Sequence, residues 1–132
     1  MSRILVVDDE PAQRFLLRRV FERAGHEVTD AQNGEAALRA IRESAPDLLV
    51  TDVMMPVMDG AELIRRVQAD PATAGIPVLA ASGDGHLAGR ADAVVPKPYD
   101  WHHLVAVAAA LLDRDVAGAD RTAPGGQSSA GR

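Results

Sequence analysis

Three carboxylates follow two short apolar segments of this 132-residue chain, at points where buried strands would end. Asp8 and Asp9 come directly after residues 4–7, and Asp52 follows residues 47–51. If these segments are neighbouring strands of a parallel sheet, the acids converge at its carboxyl edge, where such sheets bind ligands. Carboxylates about 4 Å apart repel each other by roughly 4 kcal/mol at an effective dielectric near 20, and a cation relieves that repulsion. The pattern predicts a Mg²⁺ site, since this ion prefers oxygen ligands.

Two further side chains could act on a phosphoryl group at the same edge. Lys97 lies between two prolines that restrict its backbone, and its charge would balance that of a phosphoryl oxygen. Ser82 ends the predicted fourth strand and could donate a hydrogen bond to the same group. Each has an ordinary alternative, because strand-end acids often cap helices, strand-end lysines are often solvated, and serine is common in turns.

Short apolar runs typical of strands alternate along the chain with apolar residues at helical spacing. This alternation indicates the strands and helices that must position these residues. Short apolar runs predict strands at residues 3–7, 27–30, 47–51, 76–81 and 93–95. Apolar residues at helical spacing predict a helix in each of the first three connections and a last helix over 100–113. The expected fold is α/β, with a doubly wound, five-stranded parallel sheet in the flavodoxin-like order 2-1-3-4-5.

Two segments depart from this alternation. Residues 83–91 hold three glycines and are shorter than the dozen or so residues that a parallel crossover needs, so we expect the fourth helix to be shortened or absent. Residues 115–132 contain a single large apolar side chain, that of Val116. They cannot bury enough surface to offset their ordering entropy. The expected organisation is one domain over residues 1–114 and a disordered tail over 115–132.

Composition excludes several classes of function. The chain has no cysteine, which excludes thiol catalysis, disulfides and thiolate zinc sites. Its net charge of −5 and the lack of a basic stripe argue against a nucleic-acid partner. The longest apolar run, residues 104–112, is too short to cross a bilayer, and the N-terminus does not read as a signal peptide. We therefore expect a cytoplasmic domain that binds no membrane.

Four sequence blocks, taken together, resemble the receiver domain of two-component response regulators. The resemblance covers about residues 2–113, and its specificity comes from all four blocks recurring in the family's order. The blocks are Ile4-Leu5-Val6-Val7-Asp8-Asp9-Glu10-Pro11, Asp52-Val53-Met54-Met55-Pro56-Val57-Met58-Asp59-Gly60, Ser82, and Lys97-Pro98-Tyr99.

The resemblance implies a metal site and a phosphorylation site at the predicted cluster. Asp52 would be the phosphoacceptor, taking a phosphoryl group from a histidine kinase or a phosphotransfer protein to form an acyl phosphate. Asp9, Asp52 and the backbone carbonyl of Met54 would bind Mg²⁺, with Asp8 acting through a water molecule.

The resemblance also assigns roles to the two remaining residues. Lys97 would pair with one phosphoryl oxygen, and Ser82 would hydrogen-bond another and draw its loop inward. The Lys97–Pro98 bond would be cis. The domain would not be an enzyme beyond supporting its own phosphorylation and slow dephosphorylation. It would signal through a phosphorylation-dependent interaction with an unidentified protein.

The sequence departs from the usual receiver pattern at the position three residues before the lysine. Most receivers have a switching aromatic there, whereas this chain has Val94. The segment Pro77–Gly83 is partly similar to a subgroup of stand-alone receivers that lack this aromatic and have a weak fourth helix. We therefore expect a stand-alone receiver without the usual aromatic relay, in which Tyr99 and Trp101 pack the last helix against the sheet.

Two alternative functions remain open at this stage. A Mg²⁺-dependent phosphohydrolase with an aspartate nucleophile would use a similar acidic cluster, although such enzymes carry Asp-x-Asp after the first strand, whereas this chain has Asp8-Asp9-Glu10. A pseudo-receiver would keep the site in sequence and act as a constitutive binding module.

Overall fold

The computed structural model describes residues 2–53, 55, 58–82 and 91–121, with the backbone alone for Ser82 and 114–121. Its five strands are β1 (Arg3–Val7), β2 (Glu27–Ala31), β3 (Leu48–Asp52), β4 (Val78–Ser82) and β5 (Ala93–Pro96). The helices of the described part are α1 (Pro11–Arg23), α2 (Gly34–Glu43), α3 (Gly60–Ala69) and α4 (Trp101–Arg121). None of these helices is long and apolar enough to cross a membrane.

The strands form one parallel sheet in the order β2-β1-β3-β4-β5, which confirms the predicted α/β topology. The register between β1 and β3 matters most for the site, because it pairs Val7 with Thr51. Asp8 follows Val7 and Asp52 follows Thr51, so the two acids lie side by side at the carboxyl ends of adjacent strands. The switch point between β1 and β3 is therefore acidic, as the sequence indicates.

Helices cover both faces of the sheet, and side-chain alternation along β1 divides the core in two. Leu5 and Val7 pack on the face that carries α2 and α3. Ile4 and Val6 pack on the opposite face, which carries α1 and α4. Burial on both sides explains why the central strands are continuous apolar runs. This rigid sheet holds the acidic edge in place.

Two side-chain caps fix where the helices nearest the site begin. Asn33 Oδ1 accepts a hydrogen bond of 2.8 Å from the backbone N–H of Ala36 at the start of α2. Asp59 Oδ1 accepts one of 2.9 Å from the N–H of Glu62 at the start of α3. Each cap satisfies a donor that has no partner within its helix.

The last helix extends beyond its predicted end. Helix α4 continues to Arg121, whereas the sequence pattern predicts a helix over 100–113 and an irregular chain from Asp115. Alanine and arginine favour a helix, and residues 115–121 contain no proline that would end it. The helix therefore continues past the point where apolar residues at helical spacing stop. The remaining tail, residues 122–132, lies outside the described residues. Residues 83–90 also lie outside the described residues, so the expectation that the fourth helix is shortened or absent stays a prediction.

Candidate functional site

The three predicted acids lie together at the carboxyl edge of the sheet. Asp8 and Asp52 are buried, with 1% and 6% of their surface exposed, whereas Asp9 is exposed to solvent. One carboxylate oxygen from each lies within 4.8 Å of the others. Burial of two like charges beside a third is unfavourable unless a cation or a hydrogen-bond donor offsets it.

Asp8 has one carboxylate oxygen that accepts a hydrogen bond and one that accepts none from the described residues. Its Oδ1 accepts a hydrogen bond of 2.9 Å from the backbone N–H of Glu10, but its buried Oδ2 accepts none from the described residues. Burial raises the pKa of Asp8, and the charges of Asp52 and Asp9 raise it further, against the opposing effects of that hydrogen bond and of Lys97. A hard divalent cation fits this donor set, because it would reduce the repulsion among carboxylates whose buried Asp8 Oδ2 accepts no hydrogen bond from the described residues.

Lys97 supplies the positive charge that the sequence predicts at this edge. Its Nζ lies 3.1 Å from Asp52 Oδ1 and 3.9 Å from Asp8 Oδ2. The side chain reaches inward from the residue after β5, next to a cis bond to Pro98. Lys97 is the only lysine in the chain, so the site holds the one primary-amine side chain available.

The other two predicted site residues are only partly described. Ser82 is the last residue of β4 and pairs in register with Pro96, so its backbone ends at the same edge as the acids. Its side chain and the whole of Met54 lie outside the described part of the chain. The predicted hydroxyl and carbonyl contacts therefore stay predictions.

Gly60 holds the carboxyl end of β3 in place, a role that sequence reasoning missed. Its N–H donates a hydrogen bond of 2.8 Å to the carbonyl of Val53. A Cβ at this position would lie 2.2 Å from the carbonyl oxygen of Asp52 and 2.7 Å from the Cα of Val53. The first turn of α3 is thus packed directly on the backbone that presents the central carboxylate.

Replacing Gly60 with alanine is expected to destabilise the fold and to misplace Asp52. Backbone atoms cannot yield as a flexible side chain would, so the clash should cost about 1–3 kcal/mol of unfolding free energy. Gly75→Ala is the matched control, because a Cβ there meets nothing within 4 Å. Urea unfolding of both variants measures the difference. Equal stability in the two would contradict the packing described here.

Two further residues next to the site were not identified as site residues from the sequence. Arg14 of α1 donates a hydrogen bond of 2.8 Å to the backbone carbonyl of Asp8 and so fixes the β1–α1 turn. Tyr99 packs against Trp101 with ring centroids 5.1 Å apart, and both pack on the α4 face of the core, as predicted. Burial, followed by the charges of Asp8 and Asp52, raises the pKa of Tyr99, so its hydroxyl stays protonated beside the acids.

Magnesium is expected to stabilise the folded chain through this cluster. Because the acids converge only in the folded state, Mg²⁺ at about 100 times its dissociation constant should add roughly 2.7 kcal/mol of unfolding free energy. Thermal unfolding with and without Mg²⁺ measures the effect. Asp9→Asn should reduce it strongly, whereas Glu43→Gln, at an exposed α2 position, should retain it. An equal gain in the Asp9 variant would place the ion elsewhere.

The fold and the acidic edge together define a doubly wound α/β domain with a candidate cation site, and sequence comparison gives the family. The family model described as the response regulator receiver domain matches residues 4–109. This chain therefore belongs to the response regulator receiver family, as the sequence blocks indicate.

Individual relatives agree with this assignment. Response regulator MprA of Mycolicibacterium vanbaalenii is 43% identical over 117 residues, which cover 85% of this chain and 51% of the relative. Response regulator TrrA of Thermotoga maritima, solved in complex with Mg(2+)-BeF, has a TM-score of 0.77 and 30% identity, covering 84% of this chain and 99% of that one. Chemotaxis response regulator CheY4 of Vibrio cholerae has a TM-score of 0.77 and 25% identity, covering 84% and 98%. The chain spans about half the length of three curated relatives that it matches, the transcriptional regulators RpaA and PhoB and the response regulator MprA.

Proposed function

We propose that Asp52 accepts a phosphoryl group from a histidine kinase or a phosphotransfer protein, in the presence of Mg²⁺, and that the phosphorylated domain signals by binding a downstream protein. The observation that carries this proposal is the distance of 3.1 Å between Lys97 Nζ and Asp52 Oδ1 beside two further carboxylates. A lysine amine and a metal-binding acidic cluster around one nucleophilic carboxylate are what phosphoryl transfer to aspartate needs. We place this reaction in the cytoplasm.

The proposed reaction forms one bond and breaks one. An Asp52 carboxylate oxygen attacks the phosphorus as the phosphorus–nitrogen bond to the donor histidine breaks, and that nitrogen leaves with the electron pair. Lys97 balances negative charge on the phosphoryl oxygens as they approach. Asp9, Asp52 and the proposed Met54 carbonyl would hold Mg²⁺, with Asp8 acting through a water molecule, and the ion would supply further neutralisation of that charge.

Burial assists the nucleophile in this scheme. Asp52 is almost fully enclosed, so an electrostatic interaction with Lys97 is screened less than it would be at the surface. Gly60 and the β1–β3 register hold its backbone, which keeps the attacking oxygen oriented. We further propose that the Ser82 hydroxyl hydrogen-bonds a phosphoryl oxygen and so couples phosphorylation to the connection that follows β4.

The phosphodonor is proposed to dock on α1, beside the acidic edge. Phe15 and Leu16 are large apolar side chains with 59% and 45% of their surface exposed. Arg19 lies over the Phe15 ring, 5.9 Å from its centroid. Exposed aromatic and aliphatic side chains rimmed by charge are typical of a protein-binding surface, and this one begins only a few residues after Asp9.

Replacing Phe15 with aspartate is expected to slow phosphorylation by a kinase without affecting phosphorylation by a small molecule. Loss of an aromatic anchor at an interface typically costs about 2 kcal/mol or more of binding free energy, roughly 30-fold in affinity. A panel of purified histidine kinases identifies a donor, and acetyl phosphate serves as the docking-independent control. If the variant loses both reactions, or neither, α1 is not the docking surface.

The experiment that tests the proposed function is incubation of the chain with acetyl phosphate and Mg²⁺, followed by intact-mass analysis. A receiver gains one phosphoryl group on Asp52. A pseudo-receiver gains none, and a phosphohydrolase instead releases phosphate steadily from an added phosphomonoester.

A further inference from the structure

A groove lined by charged and apolar side chains lies between α2 and α3, and none of its residues belongs to the acidic edge of the sheet. It encloses about 320 Å³ and is lined by Glu35, Leu38, Arg39, Arg42, Met58 and Arg66. We call these six residues the arginine groove. None of them belongs to the acidic cluster or to the exposed apolar pair on α1.

The arginine groove is positively charged, although the chain as a whole is acidic. Three of its six residues are arginines and one is an acid, whereas the whole chain has a net charge of −5. Arg39 and Arg42 lie three residues apart on the exposed side of α2, and neither forms an ion pair with a described residue. Arg66 on the facing helix pairs with Glu62 at 2.7 Å. The α2 side of the groove therefore presents two guanidinium groups with unused donors.

The floor of the arginine groove is apolar. Met58 is buried, with 7% of its surface exposed, and Leu38 is half-buried beside it. The Gly34 backbone packs closely on Met58, since a Cβ on Gly34 would lie 2.7 Å from the Met58 sulfur. An unbranched thioether accommodates side chains of several shapes, so this floor can receive an apolar group from a partner.

We propose that the arginine groove binds an acidic amphipathic segment of a partner protein. Carboxylates on that segment would pair with Arg39 and Arg42, for which the guanidinium fork is well suited, and one apolar side chain between them would contact Met58. The acidic net charge of the chain disfavours a nucleic-acid ligand, which needs phosphate neutralisation over a long surface. Because the pairs are exposed, binding is weak and falls as salt concentration rises.

The test is an NMR titration of the full chain, without Mg²⁺ or phosphodonor, so that its result does not depend on the proposed phosphorylation. The probe is a synthetic amphipathic helical peptide with glutamates on both sides of a leucine stripe. Backbone amides of residues 35–42, 58 and 66 should shift. An otherwise identical peptide with glutamine for glutamate should bind at least tenfold more weakly.

Matched charge reversals distinguish binding of the peptide in the groove from general electrostatic attraction to arginine side chains. Arg39→Glu with Arg42→Glu should lower the affinity for the acidic peptide at least tenfold. Arg3→Glu with Arg23→Glu, an equal charge change at exposed positions outside the groove, should change it less than twofold, and circular dichroism checks that both variants fold. Equal binding of the glutamine peptide, equal effects of the two reversals, or tighter binding of a short double-stranded DNA would each overturn the proposal.

Discussion

Asp52→Asn is expected to lose all phosphorylation by acetyl phosphate in the presence of Mg²⁺. Asparagine keeps the shape of the side chain but has no carboxylate to attack phosphorus, so no acyl phosphate can form. Intact-mass spectra should show one added phosphoryl group on the wild-type chain and none on the variant. Borohydride reduction followed by peptide mapping should place the wild-type modification on Asp52.

The control for this result is Asp113→Asn, a matched change at an exposed position on α4 that should leave phosphorylation unchanged. A wild-type chain that gains no phosphoryl group would favour the pseudo-receiver. A modified Asp52→Asn chain would move the acceptor to another residue. Either result would remove the basis for the proposed function.

Lys97→Met should change metal binding and phosphorylation in opposite directions. The lysine competes with a cation for the same carboxylates, since its Nζ lies 3.1 Å from Asp52 and 3.9 Å from Asp8. Removing that charge should strengthen Mg²⁺ binding by roughly tenfold. Without it, one source of charge neutralisation is lost as the phosphoryl group approaches, and phosphorylation should slow by about 10²- to 10³-fold.

Titration calorimetry measures the first effect and mass spectrometry at timed intervals measures the second. Lys97→Arg keeps the charge, so its Mg²⁺ affinity should stay near the wild-type value. Arg23→Met removes a cation from the exposed end of α1 and controls for net charge. If both quantities fall together in Lys97→Met, the lysine supports the structure of the site without opposing the metal.

Periodic features of the sequence predict most of the fold. The run Arg3–Val7 forms β1 with the predicted bounds, because residues 4–7 form a continuous apolar segment that is buried on both faces of the sheet. The convergence of Asp8 and Asp52 follows from strand order, so it too could be predicted. The end of α4 could not be, because alanine and arginine can extend a helix without an apolar stripe.

Contacts that form only when helices pack on the sheet could not be predicted from the sequence. Gly60 reads as a turn residue before a helix, and its contact with the Asp52 carbonyl appears only when α3 packs on β3. The arginine groove combines Arg39 and Arg42 of α2 with Arg66 of α3, which lie on separate helices of an acidic chain. Such sites depend on how helices are placed around the sheet, which residue spacing along one element does not encode.

A crystal structure of the chain with Mg²⁺ and beryllofluoride is the most direct test of the phosphoryl site. We expect the beryllium bonded to an Asp52 oxygen, the metal held by the neighbouring acids, and the sole primary-amine side chain turned toward a fluoride. An adduct on a different side chain, or an amine directed into solvent with the ion bound at another place, would contradict the account.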